Sequence, residues 1–197
     1  MPSAEATSSS PAPRAPAPRG RPAAFLDRDG TIVVDVGYPD DPAGVEPIAG
    51  AAAALRRLAD AGYALVLVTN QSGIARGLVT KSAYEAVQAR LEALLAAEGV
   101  RLDAALYCPH HPDFTGPCAC RKPGTLLHRR AARALGLDLA RSVCIGDRPS
   151  DVLPALELGG RGYLVRTGVE FDEADVPARV IVCDDVAAAV EAALDES

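Results

Sequence analysis

Two aspartates, Asp27 and Asp29, stand two residues apart directly after the apolar run from Ala23 to Leu26, with Gly30-Thr31 behind them. If extended geometry carries that far, alternation sends both side chains the same way. Such a pair can divide labour. One carboxylate attacks a phosphorus atom, while the second gives a proton to the leaving oxygen and later takes one from water. Adjacent carboxylates repel an anionic phosphate unless a cation stands between them. Mg2+ suits that place, because it prefers one or two carboxylates, waters and a phosphate oxygen in octahedral array. Asp147, after another apolar run, is the natural third oxygen donor, with Asp151 close behind. The equatorial oxygens of a transferring phosphoryl group also need donors. Thr69 and Asn70 offer a hydroxyl and an amide, Lys122 a point charge, and Arg121 a planar fork suited to a phosphate or a sugar hydroxyl. Asp-x-Asp-Gly-Thr alone equally describes a solvated turn. Its company, placed after three further apolar runs, favours chemistry.

A second constellation is Cys108-Pro109-His110-His111 followed by Cys118-Ala119-Cys120. Three thiolates and one imidazole make a complete Cys3His set with no open position, which is structural zinc rather than catalytic zinc. The small gaps favour a metal over a disulfide framework. His110 and His111 compete for the fourth place, and spacing does not choose between them. Pro112, Gly116 and Pro117 leave this loop little with which to form a core, so zinc would order it and hold Arg121-Lys122 at the pocket mouth. Cys144 and Cys183, alone in apolar stretches, read as small buried residues.

These residues must be positioned by the elements around them. The runs 23–26, 64–68, 104–107, 142–145, 162–165 and 180–183 are uniformly apolar, as buried parallel strands are. Helical patterns alternate with them. One spans Ala51 to Ala61 and closes on Gly62. A second is capped by Thr80, presents Tyr84, Val87, Leu91, Leu94 and Leu95 on one face, and ends at Gly99. A third follows Pro123 and stops at Gly136, with Leu127, Ala131, Ala134 and Leu135 as its apolar stripe and His128 on its surface. Ser150 is the expected cap of a fourth that ends at Gly159-Gly160, and Val186 to Leu194 form a last helix. Regular alternation of this kind predicts an α/β fold built on a doubly wound, Rossmann-like parallel sheet. Such sheets bind ligands outside the carboxyl ends of their strands, which is where the polar residues above fall. Gly159-Gly160-Arg161-Gly162 follows a helix and precedes a strand, the wrong order for a dinucleotide fingerprint, and there is no Walker A sequence.

Composition bounds the partners. The 197 residues carry a net charge of −6 with 4% aromatics and no tryptophan, which argues against nucleic acid, whose binding rests on basic surface and stacking. No apolar run is long enough to span a bilayer. A chain of this length buries a core without a disulfide scaffold and makes one domain. Residues 1–22 are rich in Pro, Ala and Ser, with six prolines and no apolar h-region, and read as a disordered tail on a phosphatase-like domain over 23–197 with its zinc loop at 108–120. The expected setting is a reducing cytoplasm.

The order FLDRDGT, VTNQSG, CRKPG and IGDRPSD resembles the haloacid dehalogenase superfamily of aspartate-nucleophile phosphatases. CPHHP followed by CACRKP resembles its zinc-containing branch, which acts on heptose bisphosphate and on histidinol phosphate. The likeness runs from about Ala23 to Gly168. It implies a Mg2+-dependent phosphomonoesterase in which Asp27 is the nucleophile and Asp29 the general acid/base. Mg2+ would be held by the Asp27 carboxylate, the Asp29 carbonyl and Asp147. Thr69 and Lys122 would stabilise the phosphoryl group, with Arg121 reading the rest of the substrate. Zinc would sit on Cys108, His110, Cys118 and Cys120. The loop Asp35-Val36-Gly37-Tyr38 and the run Thr69-Asn70-Gln71-Ser72 match substrate-binding segments of the heptose enzymes, whereas Arg148 looks more like the histidinol enzymes. The resemblance implies removal of the 7-phosphate of heptose 1,7-bisphosphate, with histidinol phosphate as the alternative; the rival from another class is a non-catalytic zinc protein that binds a phosphorylated ligand. Only about thirty-five residues separate Gly30 from the second strand, too few for a large cap domain. An uncapped site should take a small phosphorylated metabolite, and the chain is expected to act as a monomer.

Overall fold

Each apolar run forms a strand, and the six strands lie parallel in one sheet of order β3-β2-β1-β4-β5-β6. The computed structural model describes residues 20–195. Along the chain run β1 (Ala23–Leu26), α1 (Ala51–Asp60), β2 (Ala64–Asn70), the short α2 (Ser72–Ala75), α3 (Lys81–Ala97) and β3 (Ala104–Cys108). After them come the short α4 (Pro112–Thr115), α5 (Leu126–Leu135), β4 (Val143–Gly146), α6 (Pro149–Leu158), β5 (Arg161–Val165), β6 (Val180–Cys183) and α7 (Val186–Asp195). The chain winds outward from β1 to β3, then returns to lay β4 on the other side of β1. The β1/β4 boundary is therefore the switch point at which a doubly wound sheet opens a ligand crevice.

Period-two alternation splits the sheet residues between two cores. Ala24, Leu26, Leu65, Leu67, Val143 and Ile145 pack with Leu55 and Leu58 of α1, Leu91 and Leu95 of α3 and Val186 and Val190 of α7. Ala23, Phe25, Val66, Val68 and Cys144 face the other way, onto Leu127 and Ala131 of α5 and Ala155 of α6. Cys144 and Cys183 are buried, as expected. The run 104–107 differs. As the edge strand β3 it is only partly covered, because nothing pairs with it beyond β2.

Three helix expectations need correction. The third helix starts at Leu126, and its buried residues are Leu127, His128, Ala131 and Ala132, leaving Ala134 exposed. The apolar face is rotated from the expected one, and His128 is not a surface residue. Its ring meets Phe25 edge-on at 4.8 Å, and burial, with the Lys122 charge, pulls its pKa down to about 3. Ser150 is not the cap of α6. The helix begins at Pro149, and Arg148 N–H donates to the Asp151 carboxylate at 2.9 Å.

Of the segment 1–22 read as a tail, residues 1–19 lie outside the described residues. Residues 20–22 are tied into the fold. Gly20 N–H donates to Gly136 O at 2.7 Å, Arg21 pairs with Asp103 at 2.7 Å, and Pro22 O accepts from Ala64 N–H. Between β1 and α1, and between β3 and α5, the described chain forms loops and single turns rather than a cap domain. No helix among the described residues is long and apolar enough to cross a membrane.

Candidate active site

The first turn after β1 is built by crowding. Asp27 N–H still bonds Ile145 O of β4, and then Arg28 O collects the N–H groups of Thr31, Ile32 and Val33. Gly30 sits at φ +77°, and a Cβ there would lie 2.7 Å from Asp147 Oδ2. Gly168, across the sheet, clears the same carboxylate, and Thr167 Oγ1 donates to Gly30 O at 2.6 Å. Two glycines thus make room for Asp147 beneath the Asp27–Gly30 turn.

Asp27, Asp147 and Asp151 each bring a carboxylate oxygen to within 4.8 Å of the others, all buried. Lys122, 3% exposed, reaches in from the segment before α5. Its Nζ donates to Asp27 Oδ1 at 2.7 Å and to Val68 O at 2.6 Å, and meets Asp151 Oδ1 at 2.9 Å. Burial opposes its charge, but Asp151 and Asp27 outweigh that and hold the ammonium above its ordinary range. One cation does not balance three acids. Burial, reinforced by Asp27 and Asp151, pushes the Asp147 carboxyl up to about 7. Asp147 Oδ2 accepts from Val169 N–H at 3.0 Å, while the buried Oδ1 has no partner. An orphaned buried oxygen among crowded carboxylates is the donor set a hard divalent cation would satisfy.

Asp29 is held differently. Arg28 grips it with Nε at 3.0 Å and Nη2 at 2.9 Å, and Gln71 Nε2 donates to the same Oδ2 at 2.8 Å. Burial raises its pKa, with the Arg28 charge opposing. Arg28 is itself buried, its guanidinium 5.4 Å from the centroid of the Tyr84 ring. The sequence reading missed Arg28 as a functional residue, although an arginine between two active acids is itself a signal. Gln71 also donates to Thr69 Oγ1 at 3.0 Å, tying two of the expected donors together. Asn70 turns its amide to the Lys122 backbone on both edges, accepting from its N–H at 3.0 Å and donating to its carbonyl at 3.2 Å. Its first effect is to set Lys122.

A cavity of about 330 Å³ opens above these groups. Asp27, Asp29, Asp35, Gly37, Tyr38, Thr69, Asn70, Gln71, Ser72, Arg121, Lys122 and Arg148 all line it, together with Gly73, Ser150 and Asp151. Asp147 lies fully buried beneath. Asp35 Oδ1 accepts from Gly37 N–H at 2.7 Å, which shapes the 35–38 loop. Arg148 stands half-exposed at the rim, 3.6 Å from Asp35 and 3.9 Å from Asp147. Arg121 Nη1 donates to His110 O at 3.4 Å.

The second cluster lies two residues before Lys122. Its sulfurs are separated by 3.7 Å (Cys108–Cys118), 3.2 Å (Cys108–Cys120) and 3.5 Å (Cys118–Cys120). His110 Nδ1 stands 3.7 Å from Cys108 Sγ and 3.2 Å from Cys120 Sγ. Four soft or borderline donors with edges of this length fit around one tetrahedral ion. His110, not His111, joins them. The His111 ring packs edge-on to Phe114 at 5.4 Å. Burial pushes the Cys108 thiol up to about 12, so in the absence of a cation this group is protonated.

A family model for haloacid dehalogenase-like hydrolases matches residues 24–94, and a second, HAD-hydrolase-like model matches residues 119–192. The chain is 43% identical over 171 residues to the D-glycero-beta-D-manno-heptose-1,7-bisphosphate 7-phosphatase of Photorhabdus laumondii, covering 83% of this chain and 91% of that protein. It belongs to the haloacid dehalogenase-like hydrolases. Another relative within these hydrolases, the Yersinia pestis protein of the same name, is 44% identical over 75% of this chain and 81% of its own length. Among solved structures, the D,D-heptose 1,7-bisphosphate phosphatase of B. bronchiseptica, complexed with magnesium and phosphate, superposes with a TM-score of 0.80 at 36% identity. That match covers 89% of this chain and 99% of the other.

Proposed function

We propose that this hydrolase removes the 7-phosphate of D-glycero-D-manno-heptose 1,7-bisphosphate through an aspartyl-phosphate on Asp27. The observation that carries the reading is the convergence in one pocket of Asp27, Asp29, Thr69 and Lys122, in a chain whose 43–44% identical relatives bear that activity in their names. Lys122 fixes the Asp27 carboxylate by Oδ1 and so sets the line of attack. An oxygen of Asp27 bonds to phosphorus as the bond from phosphorus to the sugar oxygen breaks, and Asp29 gives its proton to that leaving oxygen. Burial shifts its pKa upward, in the direction that favours the acid form this step needs. Asp29 then takes a proton from water. The resulting hydroxide attacks phosphorus, the bond to Asp27 breaks, and inorganic phosphate leaves.

Mg2+ held by Asp27, Asp147 and the Asp29 carbonyl would screen the carboxylates from the incoming phosphate and stabilise charge on its oxygens. Thr69 would donate to an equatorial oxygen, while Arg121, Arg148 and the loop of Asp35, Gly37 and Tyr38, which line the same cavity, would form walls for the sugar and its second phosphate. A structural Zn2+ on Cys108, His110, Cys118 and Cys120 would hold the loop that carries Arg121 and Lys122. The test is phosphate release by the purified protein with Mg2+, comparing heptose 1,7-bisphosphate with histidinol phosphate. The expected kcat/KM ratio is at least about a hundredfold in favour of the heptose, or about 2.7 kcal/mol of transition-state discrimination. Faster turnover of histidinol phosphate would overturn the substrate.

A further inference from the structure

Three stretches far apart in sequence meet at one exposed side chain, Arg76, which follows α2. Arg76 Nη1 donates to Tyr38 Oη at 2.8 Å. Nη2 lies 3.1 Å from His111 Nε2, and the guanidinium faces the Phe114 ring at 5.7 Å. Tyr38 belongs to one wall of the pocket, while His111 and Phe114 belong to the loop that contains the Cys/His cluster. The Tyr38 ring rests on Gly73, where a Cβ would come within 2.7 Å of it, so the tyrosine has a seat shaped for it on α2. Alongside, Ala75 N–H donates to Pro109 O at 3.1 Å. Besides these contacts, the loop 35–38 is held from outside by the half-exposed Arg148, 3.6 Å from Asp35. Its own turn bond is local, and Val36 and Tyr38 are exposed.

We infer that Arg76 is a positioning residue which fastens the wall loop 35–38 to the Cys/His loop, so that order in one is transmitted to the other. A planar fork can do this because its two amino groups point to two different partners at fixed angles while its face stays free for an aromatic ring. Lysine has no second arm. Arg76 lines no part of the pocket and touches none of the reacting groups, so its effect reaches the substrate through Tyr38. The kinetic part of the inference rests on the proposed heptose bisphosphatase activity, whereas the mechanical part does not.

The experiment is hydrogen exchange by mass spectrometry on the full chain, wild type against Arg76→Ala and Arg76→Lys, with zinc content and kinetics measured on the same samples. In Arg76→Ala, exchange should rise about five- to tenfold in both 35–38 and 111–115, and stay unchanged in 23–26 and 118–122, with the metal retained. KM for heptose 1,7-bisphosphate should rise by a similar factor with kcat within about twofold. Turnover of p-nitrophenyl phosphate, which has no sugar to touch the wall, should be unaffected. Arg76→Lys should fail to restore either segment. Unchanged exchange in 35–38, or a fall in kcat at constant KM, would overturn the role. If both loops loosen as expected in Arg76→Ala but none of the three proteins hydrolyses heptose bisphosphate, the coupling stands and the substrate assignment fails.

Discussion

The two clusters that flank Lys122 solve the same electrostatic problem in opposite ways. Asp27 and Asp151 are buried acids held by a protein cation, and of the buried carboxylate oxygens in the cluster it is Asp147 Oδ1 that has no partner. Cys108, His110, Cys118 and Cys120 have no such cation. Their donors lie within 3.2–3.7 Å of one another with no side-chain cation among the described residues reaching in between them. Cys108 ends β3 inside the second core, while Cys118 and Cys120 rest on that core from a loop with only a single turn of helix. The first cluster should therefore fold without its metal and lose only chemistry. The second should lose local order when the proposed zinc is removed, and the chemistry should follow at one remove. Segment 118–122 belongs to both.

The largest effect should come from Asp27→Asn. Turnover should fall by roughly 10⁴-fold or more, while the melting temperature stays within a few degrees because Lys122 keeps Asp151. Steady-state kinetics and calorimetry on one preparation check this, and a variant that unfolds would show the carboxylate cluster to be less self-sufficient than argued. Lys122→Met should do the reverse, leaving two buried acids without their cation. A loss of about 3–5 kcal/mol is expected, or roughly 10 °C in thermal melting, read at neutral pH.

His128, beneath the same lysine, sharpens the contrast through pH. Its folded pKa of about 3 lies below the unfolded value of 6.5, so the unfolded chain binds the extra proton. The contribution of a neutral His128 is fully present above pH 6.5 and is lost as pH falls from 6.5 toward 3. Between pH 7 and 5, urea denaturation should show wild type losing about 2 kcal/mol more than His128→Leu. The smallest effect on global stability belongs to Cys118→Ser. Zinc should be lost by elemental analysis and exchange should rise across 109–120, at a global cost of only about 1 kcal/mol. A large drop in melting temperature would instead make the ion necessary to the second core, on which these cysteines rest.

The sequence was most legible where chain geometry alone decides. Buried parallel strands announce themselves as short apolar runs, and the residues after them fall at the crevice because the sheet is wound that way, which is why Asp27, Thr69, Lys122 and Asp147 could be named in advance. The Cys/His loop was legible as a set, but spacing left its histidine open and the family resemblance alone named His110; the fold turns His110 in and His111 out toward Arg76. What escaped were residues whose role depends on a partner distant in sequence. His128 reads as an ordinary polar position on a helix until Phe25 is packed against it. Asn70 reads as a phosphate donor until Lys122 presents its backbone. Arg28 reads as a linker between two acids until it is seen gripping Asp29 with its guanidinium on the Tyr84 ring.

The central claim is that Asp27 takes the phosphoryl group while Asp29 governs its arrival and release. It is tested most directly by acid-quenching Asp29→Asn during turnover of heptose 1,7-bisphosphate with Mg2+ and mapping the phosphoryl group by mass spectrometry. The account predicts a phosphorylated peptide carrying the group on Asp27, formed more slowly than in wild type because arrival has lost its acid, and persisting longer once formed because release has lost its base. A phosphoryl group on any other residue, or none at all during continuing turnover, would contradict it.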